Sequence, residues 1–121
     1  MIKNLFLKKE FNLIEWSNDN EKFEAQLDNI DQAMIDESRQ LIFLLSGISK
    51  LPDKLDVLNE IGKRVFSCSP PVGAQFYYLT PTPDYEVLVV CTFEEKMDGW
   101  HDWHYSFDLE KCGLKRVSPV Y

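Results

Sequence analysis

The stretch Asp19–Gly47, DNEKFEAQLDNIDQAMIDESRQLIFLLSG, decides the fold class that the sequence predicts. Its apolar residues recur at intervals of three and four positions, which is the periodicity of one buried face of an α-helix. Asp19 and Asn20 are good N-cap residues, and Gly47 is the residue type that most often follows the last helical turn. The pattern therefore predicts a helix from about residue 19 to residue 46, with a kink near residue 37. Its apolar face would consist of Phe23, Leu27, Ile30, Met34, Leu41 and Leu45.

A second helix is predicted to begin at Pro52, because proline is favoured in the first helical turn. Asp53 and Asp56 would lie at the positive end of this helix, where the helix dipole favours acidic residues. The helix ends before Ser69–Gly73, whose two prolines cannot continue it. Its apolar face would consist of Leu55, Leu58, Ile61 and Val65.

From residue 74 onward the sequence predicts β-strands, because aromatic and β-branched residues dominate and Asp98-Gly99 is a typical hairpin turn. Residues 1–17 fit either a short helix or a strand, and we predict the helix. We expect the whole chain, 1–121, to be one α+β domain in two layers. Two or three N-terminal helices would pack on a three- to four-stranded antiparallel meander. The predicted strands are Gln75–Thr80, Tyr85–Phe93, Trp100–Leu109 and Leu114–Val117.

The chain is acidic, with 20 Asp and Glu residues against 13 Lys and Arg residues and a net charge of −7. A negative field repels phosphate backbones and anionic membrane surfaces, so we expect neither direct nucleic-acid binding nor membrane binding. The same field attracts a basic protein partner. Acidic charge also promotes solubility by itself, which is the alternative explanation.

Cysteine usage and the N-terminal sequence bear on the cellular compartment. Cys68, Cys91 and Cys112 are odd in number and widely spaced, which favours reduced thiols over a disulfide framework. The N-terminal residues show neither the apolar segment nor the cleavage site of a secretory signal. No apolar run is long enough to span a bilayer. We therefore expect a cytoplasmic protein.

Residues 99–105, GWHDWHY, contain both histidines and two of the three tryptophans of the chain. Alternate side chains of a strand face opposite sides, so His101 would face the core, while Trp100, Asp102 and His104 would face outward. Because the two histidines would point apart and no third ligand recurs at metal spacing, we expect no metal site and no cofactor. An outward face that combines a tryptophan with charge is typical of protein-binding surfaces. The core face would also contain Trp103, Tyr105, Phe107 and Leu109.

A small enzyme or ligand-binding domain is the first alternative. Asp102 could orient His104, and Cys68 could act as a nucleophile. Nothing in the sequence places Cys68 beside a histidine, and Cys91 lies in the most apolar strand, where structural thiols are usual. The chain contains no P-loop, no Gly-rich phosphate loop and no serine nucleophile elbow. We therefore expect no catalytic residues and no enzymatic activity.

The first predicted helix carries a one-sided acidic stripe. Between Glu15 and Glu37 there are eight acidic residues and one basic residue, Lys22. Like charges at helical spacing repel each other by about 0.2–0.5 kcal/mol per pair, so a basic partner would explain the stripe. A solvated face of an acidic protein would explain it as well. The stripe consists of Glu21, Glu24, Asp28 and Asp31.

These four carboxylates, together with Trp100, Asp102 and His104 in a small acidic α+β domain with reduced cysteines, give a chain that resembles bacterial immunity proteins. Such proteins are cytosolic inhibitors of cognate toxins in contact-dependent growth inhibition and related polymorphic toxin systems. The resemblance is one of overall type. It implies that these seven residues bind a basic, nuclease-like toxin domain and block its active site or substrate path. A regulatory or structural subunit of a complex is the second alternative.

Overall fold

The computed structural model describes all 121 residues and folds them into eleven β-strands and one 3₁₀ turn, Lys9–Phe11. Each strand pairs antiparallel with its sequence neighbours within one of three sheets, so every sheet is a meander. The N-terminal sheet contains β1 (Ile2–Lys8), β2 (Leu13–Asn18) and β3 (Glu21–Gln26). The central sheet contains β4 (Ile30–Asp36), β5 (Leu41–Ser46), β6 (Lys54–Leu58) and β7 (Arg64–Cys68). The C-terminal sheet contains β8 (Ala74–Pro81), β9 (Val87–Met97), β10 (Trp100–Asp108) and β11 (Gly113–Pro119).

The α+β prediction is wrong, because no part of the chain forms an α-helix. The predicted helix over residues 19–46 is replaced by β3, β4 and β5. A spacing of four positions spans two pleats of a strand, so Phe23 and Leu27 share a face in either structure. The interval of three between Leu27 and Ile30 arises at a turn, where Asn29 has a φ of 56°. The turn shifts the apolar positions by one residue, so intervals of three and four alternate as they would in a helix.

Asp19 and Asn20 close a hairpin instead of capping a helix. Their φ angles are 51° and 67°, in the left-handed region that a two-residue type I′ turn requires at both central positions. Asn18 pairs directly with Glu21 across this turn. Because Asp and Asn are favoured both at helix N-caps and in left-handed turns, their presence alone does not distinguish the two structures.

The second predicted helix is absent for a similar reason. The side-chain oxygen of Asn59 accepts hydrogen bonds from the backbone N–H groups of Ile61 at 3.1 Å and Lys63 at 2.9 Å. Gly62 adopts a φ of 87°, and the chain reverses between β6 and β7. Residues 1–17 also differ from the predicted short helix, since they form β1, the 3₁₀ turn and most of β2.

The strands predicted for the second half of the chain are confirmed as an antiparallel meander, β8 to β11. The strand predicted to end at Phe93 continues to Met97. Asp98 and Gly99 then form the hairpin turn with φ angles of 49° and 89°.

The central sheet lies between the other two sheets. All six residues of β5 are buried, with Leu41, Phe43 and Leu45 packed toward the C-terminal sheet and Ile42 and Leu44 toward the N-terminal sheet. Two core clusters result, one of 14 buried residues beside the C-terminal sheet and one of 7 beside the N-terminal sheet. Burial on both faces explains why β5 is apolar without alternation.

An ion pair between the buried Asp36 and the partly buried Arg39 fastens the central sheet to the C-terminal sheet. Asp36 is fully buried and accepts hydrogen bonds from the backbone and guanidinium of Arg39 and, at 2.9 Å, from the backbone N–H of Val87. Arg39 also donates a hydrogen bond to the carbonyl oxygen of Phe107. The turn after β4, near the predicted helix kink, therefore anchors β9 and β10.

Candidate functional site

The segment GWHDWHY begins at Gly99 in the hairpin turn and continues into β10, a strand that lies between β9 and β11. Trp103, Tyr105 and Phe107 are buried against the central sheet, on the face that strand alternation predicts. Asp102 and His104 are partly exposed on the opposite face. The alternation therefore holds over most of β10, although the layer beneath it is a sheet and not the predicted helices.

His101 is an exception to this alternation. The pairing of β10 with β9 shifts between Trp100 and Asp102, and the resulting bulge leaves His101 exposed instead of in the core. Its ring nitrogen Nδ1 lies 2.8 Å from the carbonyl oxygen of Phe93, so this nitrogen is the donor. Leu109, also predicted on the core face, lies beyond the end of β10 and is 49% exposed.

Trp100 forms an exposed aromatic pair with Tyr121. Their rings meet edge to face with centroids 4.9 Å apart, and the residues are 39% and 90% exposed. The hairpin that carries Trp100 is braced by Arg116, which pairs with Asp98 at 3.1 Å and lies over the ring of Trp103 at 4.3 Å. A braced and uncovered aromatic pair has the composition of the anchors found in protein interfaces.

Two carboxylates without an ionic partner lie on β9, the strand that pairs with the start of β10. Glu94 and Glu95 are exposed near the end of β9, shortly before Met97, the pairing partner of Trp100. Neither glutamate takes part in an ion pair. We call Glu94, Glu95, Trp100 and Tyr121 the hairpin surface. Sequence reasoning found Trp100 but missed Tyr121, because 21 positions separate the two residues and no local pattern links them.

The residues of the enzymatic alternative are not assembled. The Nδ1 atom of His104 lies 3.3 Å from the hydroxyl of Ser118, but no carboxylate lies within 4.0 Å of either histidine ring. Cys68 lies on β7 and packs against the larger core cluster, on the other side of the C-terminal sheet from His104. No three His, Cys, Asp or Glu side chains converge in a way that could hold a metal ion.

Two of the three thiols are held in their protonated form. Burial, with a smaller contribution from Asp56, raises the pKa of Cys68 to about 11. Burial, with a smaller contribution from Cys68, raises the pKa of Cys91 to about 12. Because the thiolate is the reactive form of cysteine, neither residue is activated as a nucleophile near neutral pH.

The predicted acidic stripe does not exist as a helical feature. Glu21 and Glu24 lie on β3, Asp28 lies in the turn that follows, and Asp31 lies on β4. Residues three positions apart on a strand face opposite sides, so Glu21 and Glu24 do not share a face. All four carboxylates are nevertheless exposed, and none of them takes part in an ion pair.

The structure does not bring the two groups of predicted partner-binding residues together. The acidic residues lie on the N-terminal sheet and the adjoining start of the central sheet, whereas Trp100, Asp102 and His104 lie on the C-terminal sheet. The central sheet lies between the sheet of Glu21 and Glu24 and the sheet of Trp100, and it contains Asp31 itself. A partner that uses Trp100 as its anchor would therefore meet the hairpin surface first.

Asp56 is a candidate that sequence reasoning missed as a site. It lies on β6 and is 1% exposed, yet neither of its carboxylate oxygens accepts a hydrogen bond. Lys54 Nζ at 3.7 Å and Arg64 Nη1 at 3.5 Å are the cations that face it. The available signal was a charge between Leu55 and Val57 in a short apolar run, which is unusual for a strand buried on both faces.

Comparisons with known proteins give no relative, since no family model, no curated protein and no solved structure matches this chain. The structure contains no helix that is long and apolar enough to cross a bilayer.

Proposed function

We propose that this protein is a cytoplasmic binding protein of the immunity type, which captures and neutralises a basic toxin domain. The observation that supports the proposal most is the hairpin surface. There, Trp100 and Tyr121 form an exposed aromatic pair, and the neighbouring strand β9 carries Glu94 and Glu95, which have no ionic partner within the chain. An aromatic anchor supplies binding energy, and the carboxylates on β9 favour a basic partner.

The charge distribution supports the same kind of partner. Only five of the twenty acidic residues take part in ion pairs, and these are Glu15, Asp19, Asp36, Asp56 and Asp98. The other carboxylates are left to act through solvent and produce a negative field around the molecule. Such a field accelerates the encounter with a basic protein and weakens as salt is added.

The structure changes the roles that we assign to the predicted residues. Trp100 contacts the partner, with Asp102 and His104 on the outer face of the same sheet as further candidates. Glu21, Glu24, Asp28 and Asp31 steer the partner from a distance, because they lie on β3, in the turn that follows it and at the start of β4, and not on the sheet of the hairpin surface. Neutralisation follows if the bound protein covers the active site or the substrate path of the toxin.

Genomic context provides the test, because an immunity gene normally lies directly beside the gene of its toxin. We expect the product of an adjacent gene to arrest growth when expressed alone, and this protein to restore growth and to bind the purified toxin domain. Trp100→Ala should weaken this binding by at least about 30-fold, as expected for an interface anchor.

Phe11→Ala provides the matched control, because Phe11 is an exposed aromatic residue, 66% accessible, just after β1 of the N-terminal sheet. This variant should bind the toxin like the wild type. A neighbouring toxin that this protein neither binds nor neutralises would contradict the proposed function. Equal binding by Trp100→Ala and the wild type would exclude the hairpin surface as the contact.

A further inference from the structure

We infer that the cleft around Asp56 is a binding site for a lysine or arginine side chain of a protein partner. The inference rests on the proposed function for the source of that side chain, and on the cleft itself for its chemistry. The cleft has a volume of 240 Å³ and lies between β3 and the β6–β7 hairpin. Its lining includes Ala25, Leu27, Leu44, Leu58, Asp56 and Arg64.

The cleft forms because two sheets with different numbers of strands pack against each other. The N-terminal sheet has three strands, whereas the central sheet beneath it has four. Residues at the end of β3 line the cleft together with residues of β6, and no strand of the N-terminal sheet lies beyond β3. Ser67, which pairs with Asp56 from β7, is accordingly exposed. The cleft therefore opens along the free edge of β3.

The carboxylate of Asp56 lacks the hydrogen bonds that a buried charge requires. Both oxygens are inaccessible, and neither has a donor within hydrogen-bonding geometry. Lys54 and Arg64 approach only to 3.7 and 3.5 Å, and their side chains are 44% and 58% exposed. A buried charge without hydrogen bonds is costly, and two exposed cations beyond hydrogen-bonding distance compensate it incompletely. An incoming guanidinium or ammonium group supplies the missing donors once Arg64 moves aside into solvent.

The walls of the cleft match the rest of a long basic side chain. Ala25, Leu27 and Leu58 offer apolar surface to the methylene stem, while Asp56 lies where the charged head would end. The net charge of −7 and the exposed Glu21 and Glu24 on β3 favour a cationic donor over a neutral hydroxyl or amide. A lysine or arginine side chain satisfies all of these conditions.

The test uses butylguanidinium as a probe and the whole protein, with binding followed by amide and carboxyl chemical shifts in NMR. We expect saturable shifts at Asp56, Leu58 and Gly62. Asp56→Asn should weaken binding by at least about tenfold, because it removes a charged hydrogen-bond acceptor. Arg64→Gln should strengthen binding several-fold, because it removes the cation that competes for Asp56. If Asp56 and Arg64 formed only a structural ion pair, the two substitutions would not change probe binding in opposite directions.

Two further variants complete the experiment. Asp84→Asn removes an exposed carboxylate in the β8–β9 turn, outside the cleft, and should bind the probe like the wild type. Ala25→Leu fills the cleft without changing its charge and should abolish binding, which gives a result even if Asp56→Asn fails to fold. No binding to the wild type, or equal binding by Ala25→Leu and the wild type, would overturn the inference.

The outcome is separable from that of the proposed function, because butylguanidinium requires no partner. If the probe does not bind but Trp100→Ala still weakens toxin binding, the cleft inference fails and the proposed function stands. If the probe binds but no toxin is neutralised, the cleft stands and the source of its cation is a different protein.

Discussion

Asp36 and Asp56 are two buried aspartates of the central sheet in opposite situations. Asp36 ends β4, where the backbone N–H groups of the following turn and of β9 are free to donate to it. Asp56 lies within β6, between Leu44 and Ser67 on the flanking strands, whose backbone groups belong to the sheet ladder. The position of each aspartate within its strand therefore decides whether the fold supplies hydrogen bonds to its carboxylate or leaves the carboxylate available to a ligand.

Replacing Asp36 by asparagine should lower the free energy of unfolding by about 3 kcal/mol, because it leaves the partly buried guanidinium of Arg39 without its counter-charge. Urea denaturation at neutral pH measures this loss. Asp98→Asn is the matched control, since it breaks an exposed ion pair with Arg116 and should change stability by about 1 kcal/mol or less. Equal losses in the two variants would show that Asp36 does not fasten the sheets.

The partly buried thiol of Cys68 and the buried thiol of Cys91 make the stability of the protein decrease at alkaline pH. Their pKa values in the folded chain, about 11 for Cys68 and about 12 for Cys91, exceed the ordinary value of 9.0. The unfolded chain therefore loses protons first as the pH rises, so stability is fully present below pH 9 and is lost between pH 9 and about 12. Urea denaturation at pH 8, 9.5 and 10.5 under reducing conditions should show the decline, and Cys68→Ala should make it shallower. A stability that is constant from pH 9 to 10.5 would contradict this account.

Among the structural elements, the turn residues of this chain indicate strands more reliably than the spacing of its apolar residues does. Asn12, Asp19, Asn20 and Asn29 all have positive φ angles and divide the first thirty residues into short strands. A spacing of four positions is common to both structures, so the N-terminal half could not be assigned from periodicity alone. Recognising these four residues as turn residues would have separated β1, β2, β3 and β4.

In the second half of the chain, sequence reasoning predicted more of the structure. The meander and the two faces of β10 followed from β-branched and aromatic composition and from alternation. The bulge at His101, the Trp100–Tyr121 pair and the cleft at Asp56 did not follow. Each of these features depends on how strands or sheets meet in space, and no local sequence pattern encodes that.

The β6–β7 turn provides a test of how the N-terminal sheet is fastened. Trp16 donates a hydrogen bond from Nε1 to the carbonyl oxygen of Glu60 at 2.8 Å, and a Cβ added to Gly62 would lie 3.2 Å from the Trp16 ring. Gly62→Ala should therefore destabilise the protein by the cost of a left-handed alanine, about 1 kcal/mol, plus the displacement of the ring.

Gly99→Ala is the control for this turn. Gly99 has a similar φ of 89°, but an added Cβ meets nothing within 4 Å. Thermal unfolding of the two variants should show a larger decrease in Tm for Gly62→Ala. If the two decreases are equal, the contact with Trp16 contributes nothing beyond backbone strain.

For the whole molecule, the three-layer arrangement places the carboxylates that steer the partner and the hairpin surface that contacts it in different sheets. The exposed carboxylates Glu21 and Glu24 belong to the sheet on one side of the central sheet, and the hairpin surface belongs to the sheet on its other side. Charges act over about 10 Å at 0.1 M salt, whereas aromatic side chains stabilise a complex only at van der Waals contact. Both groups can therefore assist one partner without forming a continuous interface.

Charge reversal distinguishes these two roles. The double variant Glu24→Lys with Asp28→Lys should slow association with the toxin about tenfold at low salt and much less at 0.5 M salt, with little change in the dissociation rate. Stopped-flow mixing measures both rates. Asp84→Lys with Glu110→Lys changes the net charge equally at other exposed loops. If this control slows association as much, net charge and not the β3–β4 region steers the partner.

Each sheet is a continuous segment of the chain, and this sets the order in which the layers emerge during synthesis. The N-terminal sheet is complete once Gln26 has left the ribosome, but its inward residues Ile14 and Trp16 remain uncovered until β5 and β6 follow. The central sheet then has one bare face until β8 to β10 arrive. The nascent protein therefore always exposes one apolar sheet face, and only the last third of the chain removes the final surface on which it could aggregate.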